Sequence, residues 1–319
     1  MSLIQIIDLK KYFQTPKGDL HAVDGVNLSI KKGETLGVVG ESGCGKSTLG
    51  NTMLRLVEPT SGQMLYDGVD VVKLSKREMK EMRRNMQMIF QDPYSSLNPR
   101  MTVKDTISEP LVIYNTYKSA SERNKRVLEV MDTVGLARRL QNSYPHELDG
   151  GRRQRIGVGR ALALNPGLIV CDEPVSALDV SIQAQILNLL MDLQDNLGLT
   201  YMFITHDLSV VKHISDNIAV MYLGKCVELA PSKELFRNPL HPYTKALLSA
   251  IPTIDISGQR GFSYIIRGEV ANPINPAPGC RFAPRCDDCK DVCSAGEIPL
   301  VDWGGNHFVA CTLYAKNDK

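Results

Sequence analysis

Nine consecutive residues, Gly40-Glu41-Ser42-Gly43-Cys44-Gly45-Lys46-Ser47-Thr48, constrain this chain more than any other stretch. They satisfy the pattern glycine, four residues, Gly-Lys-Ser/Thr, in which successive backbone N–H groups turn inward around a polyphosphate. The apolar run at 35–39 just before them reads as a buried parallel strand, and residues 48–56 just after read as a helix. In that context Lys46 should reach terminal phosphates as a point charge, the Ser47 hydroxyl should ligate Mg²⁺, and the helix start should add its positive dipole end.

The bulk numbers are those of a soluble globular protein. There are 319 residues, enough for one domain of ordinary size plus an appendage. Hydrophobic residues make up 43% and charged residues 23%, while the net charge is only +2, so no basic field argues for a nucleic-acid partner. No apolar run approaches the roughly 18 residues of a membrane span. The N-terminal stretch meets Asp8 too early for a signal peptide. The expectation is a cytosolic chain that docks on something else if it works at a membrane.

Further candidates stand at strand ends. Residues 86–90 read as a strand that runs into Gln91-Asp92-Pro93, where proline forbids continuation and leaves Gln91 at the mouth of a loop. The apolar run 167–171 ends in Asp172-Glu173-Pro174. An aspartate at the end of a parallel strand beside a phosphate loop is a Mg²⁺ partner, and the next glutamate is placed to polarise an attacking water. The strand at 200–205 ends in His206, where an imidazole can touch a γ-phosphate. Tyr12 and Phe13 offer aromatic faces on which an adenine can stack, although aromatics near an N-terminal strand often serve the core.

The rest of the chain reads coarsely. Strands and turns fill the region up to about 70. A charged helix covers 75–84, and residues 102–165 are helical, with a capping box at Ser119-Ala-Ser-Glu122. Leu148-Asp149-Gly150-Gly151-Arg152 leads into a helix at 156–164. A hairpin is expected about Gly224, a short helix at 232–236 and a closing helix at 244–251. A domain boundary is placed near 252–262.

The fixed order of phosphate loop, Gln91, Gly150-Gly151, Asp172-Glu173, Ser176-Ala-Leu-Asp179 and His206 resembles the ATP-binding cassette (ABC) ATPases. The resemblance covers residues 1 to about 250. It implies an α/β fold: a RecA-like phosphate-loop ATPase core, an N-terminal antiparallel β subdomain and a helical subdomain at about 92–165, all within 1–255. A small irregular Cys-rich C-terminal domain would occupy 256–319. It implies that Phe13, or failing it Tyr12, stacks on adenine, with Val23 in the same nucleotide-binding set. Gln91 would sense Mg²⁺ and the membrane partner, Asp172 would hold Mg²⁺, Glu173 would be the catalytic glutamate and His206 the switch histidine. Asp149, Gly150 and Gly151 would stand in the signature motif, which reaches ATP on a partner subunit.

Val23-Asp24-Gly25-Val26, the Cys44 form of the loop, residues 88–102 and residues 241–248 are similar to the dipeptide/oligopeptide importer ATPases, and lean toward the DppF/OppF type of subunit. That resemblance implies ATP-driven closure against a second, DppD/OppD-like ATPase subunit beneath two membrane permeases. An extracellular peptide-binding protein would supply the substrate, and the site of action would be the cytoplasmic face of the membrane. Nickel or another small solute is an alternative cargo, because specificity resides in the other components. A non-transport ABC ATPase is a further alternative, disfavoured by the single cassette and the short insertion. One departure stands out: the family usually reads Leu-Ser-Gly-Gly-Gln where this chain has Leu148-Asp149-Gly150-Gly151-Arg152. An ionised aspartate cannot donate to a γ-phosphate and would repel it, so a weakened site on the partner is expected.

Eight cysteines are present, five of them in the last forty or so positions. Cys280, Cys286, Cys293 and Cys311 match the cysteine pattern of the family's C-terminal extension, and Cys289 is extra. Disulfides are not expected in the cytosol. Four thiolates can hold a [4Fe–4S] cluster or zinc, and their wide spacing favours the cluster.

Overall fold

The computed structural model describes residues 2–250 and 272–314. The chain divides into two compact units, Met1–Lys73 with Phe203–Lys319, and Leu74–Met202. The boundary expected near 252–262 lies outside the described residues.

The first unit begins with a hairpin of β1 (Ser2–Thr15) and β2 (Gly18–Lys31). Alternation in β1 is loose because the pairing register slips between Ile6 and Leu9. Asp8 sits at that slip with φ 45°, and its N–H donates to Asn27 Oδ1 at 2.9 Å. All five residues of β3 (Thr35–Val39) are buried, as a strand covered on both faces requires. Then come α1 (Lys46–Met53), β4 (Ser61–Tyr66) and β5 (Val69–Asp70). Strands run β2-β1-β4-β5 in one antiparallel sheet, the expected N-terminal β subdomain. Ile4, Ile6, Leu9, Val26, Ile30 and Met64 bury its inner face.

The second unit opens with α2 (Lys76–Met82), capped reciprocally by Ser75 and Glu78, and β6 (Met86–Ile89). Asp92 caps the single turn α3 (Pro93–Ser96) by accepting from Tyr94 N at 2.7 Å. Helices α4 (Val103–Ile113), α5 (Ala120–Thr133) and α6 (Gly150–Leu162) pack together; a Cβ on Gly159 would lie 3.3 Å from Ile107 and from Val130. The capping box read at Ser119 and Glu122 starts α5. Helix α6 begins six residues earlier than its apolar pattern suggests, because Asp149 caps it. The basic run after the glycines fixes loops: Arg153 donates to Pro145 O at 2.6 Å, and Arg155 to Val134 O at 2.7 Å. β7 (Leu168–Asp172) lies parallel to β6, and α7 (Val180–Leu197) follows.

The division between the units falls inside β8 (Thr200–Ile204). The chain then returns to the first unit with α8 (Leu208–Ile214), β9 (Asn217–Tyr222) and β10 (Lys225–Pro231). The expected hairpin turn has φ 43° at Leu223 and 81° at Gly224, the positive pair that a tight type I′ turn needs. α9 (Ser232–Arg237) and α10 (Pro242–Ser249) follow. β11 (Val301–Gly304) and β12 (His307–Val309) complete a strand series β11-β12-β10-β9-β3, in which β9 and β3 are parallel. The Cys-rich segment thus hydrogen-bonds to the ATPase strands through β12 and β10. Among the described residues no helix is long and apolar enough to cross a membrane.

Candidate functional site

In the first unit, β3 ends at Val39 and the chain turns into the phosphate loop at Gly40. The loop is wedged against neighbouring backbone. A Cβ on Gly40 would lie 2.1 Å from Met221 O, and one on Gly45 would lie 2.0 Å from Ala22 O. The two glycines also have φ of 152° and 103°, which side chains rarely adopt. Lys46 opens α1 with only 5% exposure. Its ammonium donates to Gly40 O at 2.8 Å and Glu41 O at 3.0 Å, so the charge is held across the loop by the loop's own carbonyls. Cys44 is buried beside it, and burial pushes its thiol up against the opposing pull of Lys46. This cysteine is loop packing rather than a nucleophile.

His206 follows β8, two residues after Ile204, and is exposed. Its neighbour Thr205 donates to Val38 O of β3 at 3.1 Å, which brings the histidine to the strand end from which the loop departs. Of the two aromatics, Phe13 is 37% exposed under the Lys11 ammonium, 4.7 Å from the ring centroid. Tyr12 stacks on His21 at 3.9 Å, and its hydroxyl donates to Asp24 at 2.5 Å. Val23 is fully buried within β2.

In the second unit, Asp172 closes β7 and is 7% exposed. Glu173 follows with φ 45°, a left-handed backbone unusual for a glutamate. Such strain persists where the surrounding structure over-determines it, commonly at functional positions. Gln91 donates from Nε2 to Glu173 Oε2 at 2.9 Å, so these two sequence-distant residues are brought together. The signature glycines approach the start of α7: a Cβ on Gly151 would lie 2.7 Å from Ile182 Cγ2, and one on Gly150 3.1 Å from Leu178. Asp149 accepts from Arg152 N at 2.8 Å as a helix cap, and Arg152 Nη1 lies 3.4 Å from its other oxygen. Aspartate caps a helix as well as serine does, so the departure from the family pattern preserves the local fold while changing the charge.

The Cys-rich segment requires a correction. Cys280, Cys286, Cys293 and Cys311 line one small pocket with His241. Among the described residues, however, no group of three or more His, Cys, Asp or Glu side chains is placed to hold a metal ion. Neither the expected [4Fe–4S] cluster nor the zinc alternative is therefore supported. A ligand set must converge on one point at about 2.3 Å, whereas these sulfurs have other neighbours: Cys293 Sγ lies 3.1 Å from Thr312 Oγ1 and Cys280 Sγ 4.0 Å from His241 Nε2. Burial pushes the Cys311 thiol up to about 11 and raises Cys280 as well, whereas at Cys293 burial is outweighed by hydrogen bonding, first of all to Thr312, and the thiol is lowered. None of the eight cysteines is in a disulfide.

A phosphate loop launching from a buried strand in the first unit and, in the second, an acidic strand end whose Glu173 accepts from a loop glutamine are each parts that a phosphate-loop nucleoside triphosphatase uses. The "ABC transporter" family model matches residues 23–176, and the "Oligopeptide/dipeptide transporter, C-terminal region" model matches 227–293. The chain is 52% identical over 323 residues to the oligopeptide transport ATP-binding protein AppF of Bacillus subtilis (strain 168), covering 98% of each chain. It is 58% identical over 259 residues to OppF of the same organism, covering 81% of this chain and 85% of that one. Among solved structures, the ATP-binding cassette MJ0796 bound to ADP and Pi matches with a TM-score of 0.65 and 32% identity, over 72% of this chain and 98% of that one. CbiO1 of Clostridium perfringens matches with 0.67 and 29%, over 74% and 91%. The chain belongs to the ABC transporter ATP-binding family, in its oligopeptide/dipeptide branch. It has the ABC cassette fold, and ATP with Mg²⁺ is the nucleotide expected of that family.

The contacts of Arg281 with Asp24 and of Arg285 with Glu41 have no local sequence signal. Arg281 and Arg285 were legible only as part of a cysteine pattern.

Proposed function

We propose that this chain is the ATP-hydrolysing subunit that powers import of di- and oligopeptides through a membrane ABC transporter. The observation that carries the reading is the match of residues 227–293 to the oligopeptide/dipeptide C-terminal region, beside a cassette 52% identical to an oligopeptide transport ATP-binding protein along its whole length. The nickel and non-transport alternatives receive no comparable support.

Residue roles follow the chemistry. Lys46 and the backbone of residues 40–48 bind the phosphates, with Thr48 next to the Ser47 hydroxyl that, with Asp172 and Gln91, serves Mg²⁺. Glu173 polarises the attacking water, and its link to Gln91 ties hydrolysis to the loop that answers the membrane partner. His206 contacts the γ-phosphate. Tyr12, locked on His21 and Asp24, is a stiffer adenine platform than the more exposed Phe13. Asp149, Gly150 and Gly151 face the ATP of a second, DppD/OppD-like subunit, and Asp149 weakens that composite site. The partners are that subunit and two permeases at the cytoplasmic face of the membrane, with a peptide-binding protein outside. The Cys-rich segment is an appendage stabilised by its strands and buried side chains.

Reconstitution with the permeases in liposomes tests the reading. ATP-dependent uptake of labelled di- and longer peptides is expected, abolished by Glu173→Gln. Hydrolysis without peptide uptake in the complete assembly would refute it.

A further inference from the structure

The run Gly279-Cys280-Arg281-Phe282-Ala283-Pro284-Arg285-Cys286 sets an arginine directly beside each of two cysteines. The Arg285 side chain is 8% exposed. Its Nη1 donates to Glu41 Oε2 at 2.9 Å and its Nη2 to Oε1 at 3.3 Å, a two-pronged pairing, while Nη1 also reaches the Tyr222 hydroxyl at 3.2 Å. Glu41 is the second residue of the phosphate loop. Its N–H donates to the Tyr243 hydroxyl at 2.8 Å, and its carbonyl receives the Lys46 ammonium. Arg285 therefore grips the residue that in turn holds the phosphate-binding lysine.

Arg281 acts at the other end. It donates to Leu223 O and to Asp24. Asp24 accepts the Tyr12 hydroxyl, and its N–H bonds Gly224 O at 2.9 Å; Gly224 N bonds Cys44 O of the loop at 2.7 Å. Between the arginines, Phe282 is fully buried against Tyr222, Tyr243 and His241. That ring anchors the segment so that both guanidinium groups bear on the nucleotide side of the first unit.

We infer that residues 279–286 form a positioning element of the nucleotide half-site, in which Arg285 both orients the phosphate loop and neutralises Glu41. The inference rests on the reading that residues 40–48 bind ATP. An unpaired carboxylate in the loop would repel a polyphosphate, and a fork on both of its oxygens cancels that charge while fixing its direction. Arg281 does the corresponding work for the Tyr12 platform and the Leu223–Gly224 turn. The C-terminal segment thus sets ATP affinity in addition to covering the strands.

The test is titration of the full chain with a fluorescent ATP analogue and Mg²⁺, paired with steady-state hydrolysis by the assembled transporter. Arg285→Gln should weaken nucleotide binding about tenfold, one decade of binding constant, with the loss in KM rather than kcat. The double variant Glu41→Gln/Arg285→Gln should recover most of it, because the repelling charge is gone and two amides can still pair. Should Arg285→Gln melt below the assay temperature, Arg285→Lys carries the comparison: it keeps the charge, loses the fork and should fall between wild type and the glutamine variant. Equal affinity of Arg285→Gln and wild type overturns the inference. Equal weakening in the single and double variants also overturns it, since Arg285 would then only hold the segment in place. A wild-type chain that binds no nucleotide overturns the ATP-binding reading and this inference with it.

Discussion

Gly45 shows how little freedom the phosphate loop has. With φ of 103° and Ala22 O at 2.0 Å from any added Cβ, Gly45→Ala must move backbone on both sides. The expected cost is about 2 kcal/mol or more of stability, read by thermal melting, together with loss of nucleotide binding. Glu173→Gln is the opposite case. Its side-chain oxygen can still accept from Gln91, so the melting temperature should hold while hydrolysis falls on the order of a hundredfold or more. Asp149 is a third kind of residue, a cap whose charge exceeds what capping needs. Asp149→Ser with Arg152→Gln keeps the cap and should raise the ATPase rate of the assembled transporter; an unchanged rate would remove the proposed weakening of the partner's site.

Most of the described α-helices start where a short Ser, Thr or Asp side chain accepts a backbone N–H. Ser75, Thr102 and Ser119 each open a helix through a reciprocal pair with the residue three positions on. Ser119→Ala should cost about 1 kcal/mol, measured by urea unfolding. The box at Ser119 and Glu122 was legible because it is a local pattern, while those at Ser75 and Thr102 emerged with the structure. The early start of α6 was not, since Gly150 and Gly151 argue against a helix until Asp149 is seen to cap it. At the junction of β1, β2, β10 and the C-terminal segment, Asp24 accepts from Tyr12 and pairs with Arg281 and Lys225. Burial alone would raise its carboxyl; the Tyr12 hydroxyl and the two cations outweigh that and hold it below the usual range. A depressed carboxyl contributes stability that is present above the unfolded pKa and is lost as pH falls through the folded one. Asp24→Asn should therefore be less stable than wild type at pH 7, and the gap should close below about pH 4.

For the molecule as a whole, the buried Glu228 of β10 ties the late elements together. It accepts from Leu240 N and His241 N at 2.8 Å each and meets His307 Nε2 of β12 at 2.7 Å, with no exposed surface. Glu228→Ala strands two backbone donors and a histidine, and a loss of about 3 kcal/mol or more is expected, measured by chemical unfolding of the full chain. The four C-terminal cysteines teach the converse lesson. A family-like pattern and wide spacing made them look like a cluster site, but sulfur chemistry depends on where the thiols point and how deeply they are buried. What the chain alone determined is chemistry written in neighbouring residues: the loop of 40–48, the acidic strand end at Asp172 and Glu173, and the caps of the helices. Such features need only a few contiguous backbone units to work. Only the tertiary structure decided that Arg285 closes on Glu41 across 244 residues of sequence, because a charge pair that distant exists only once the fold has excluded water and brought both groups to one place.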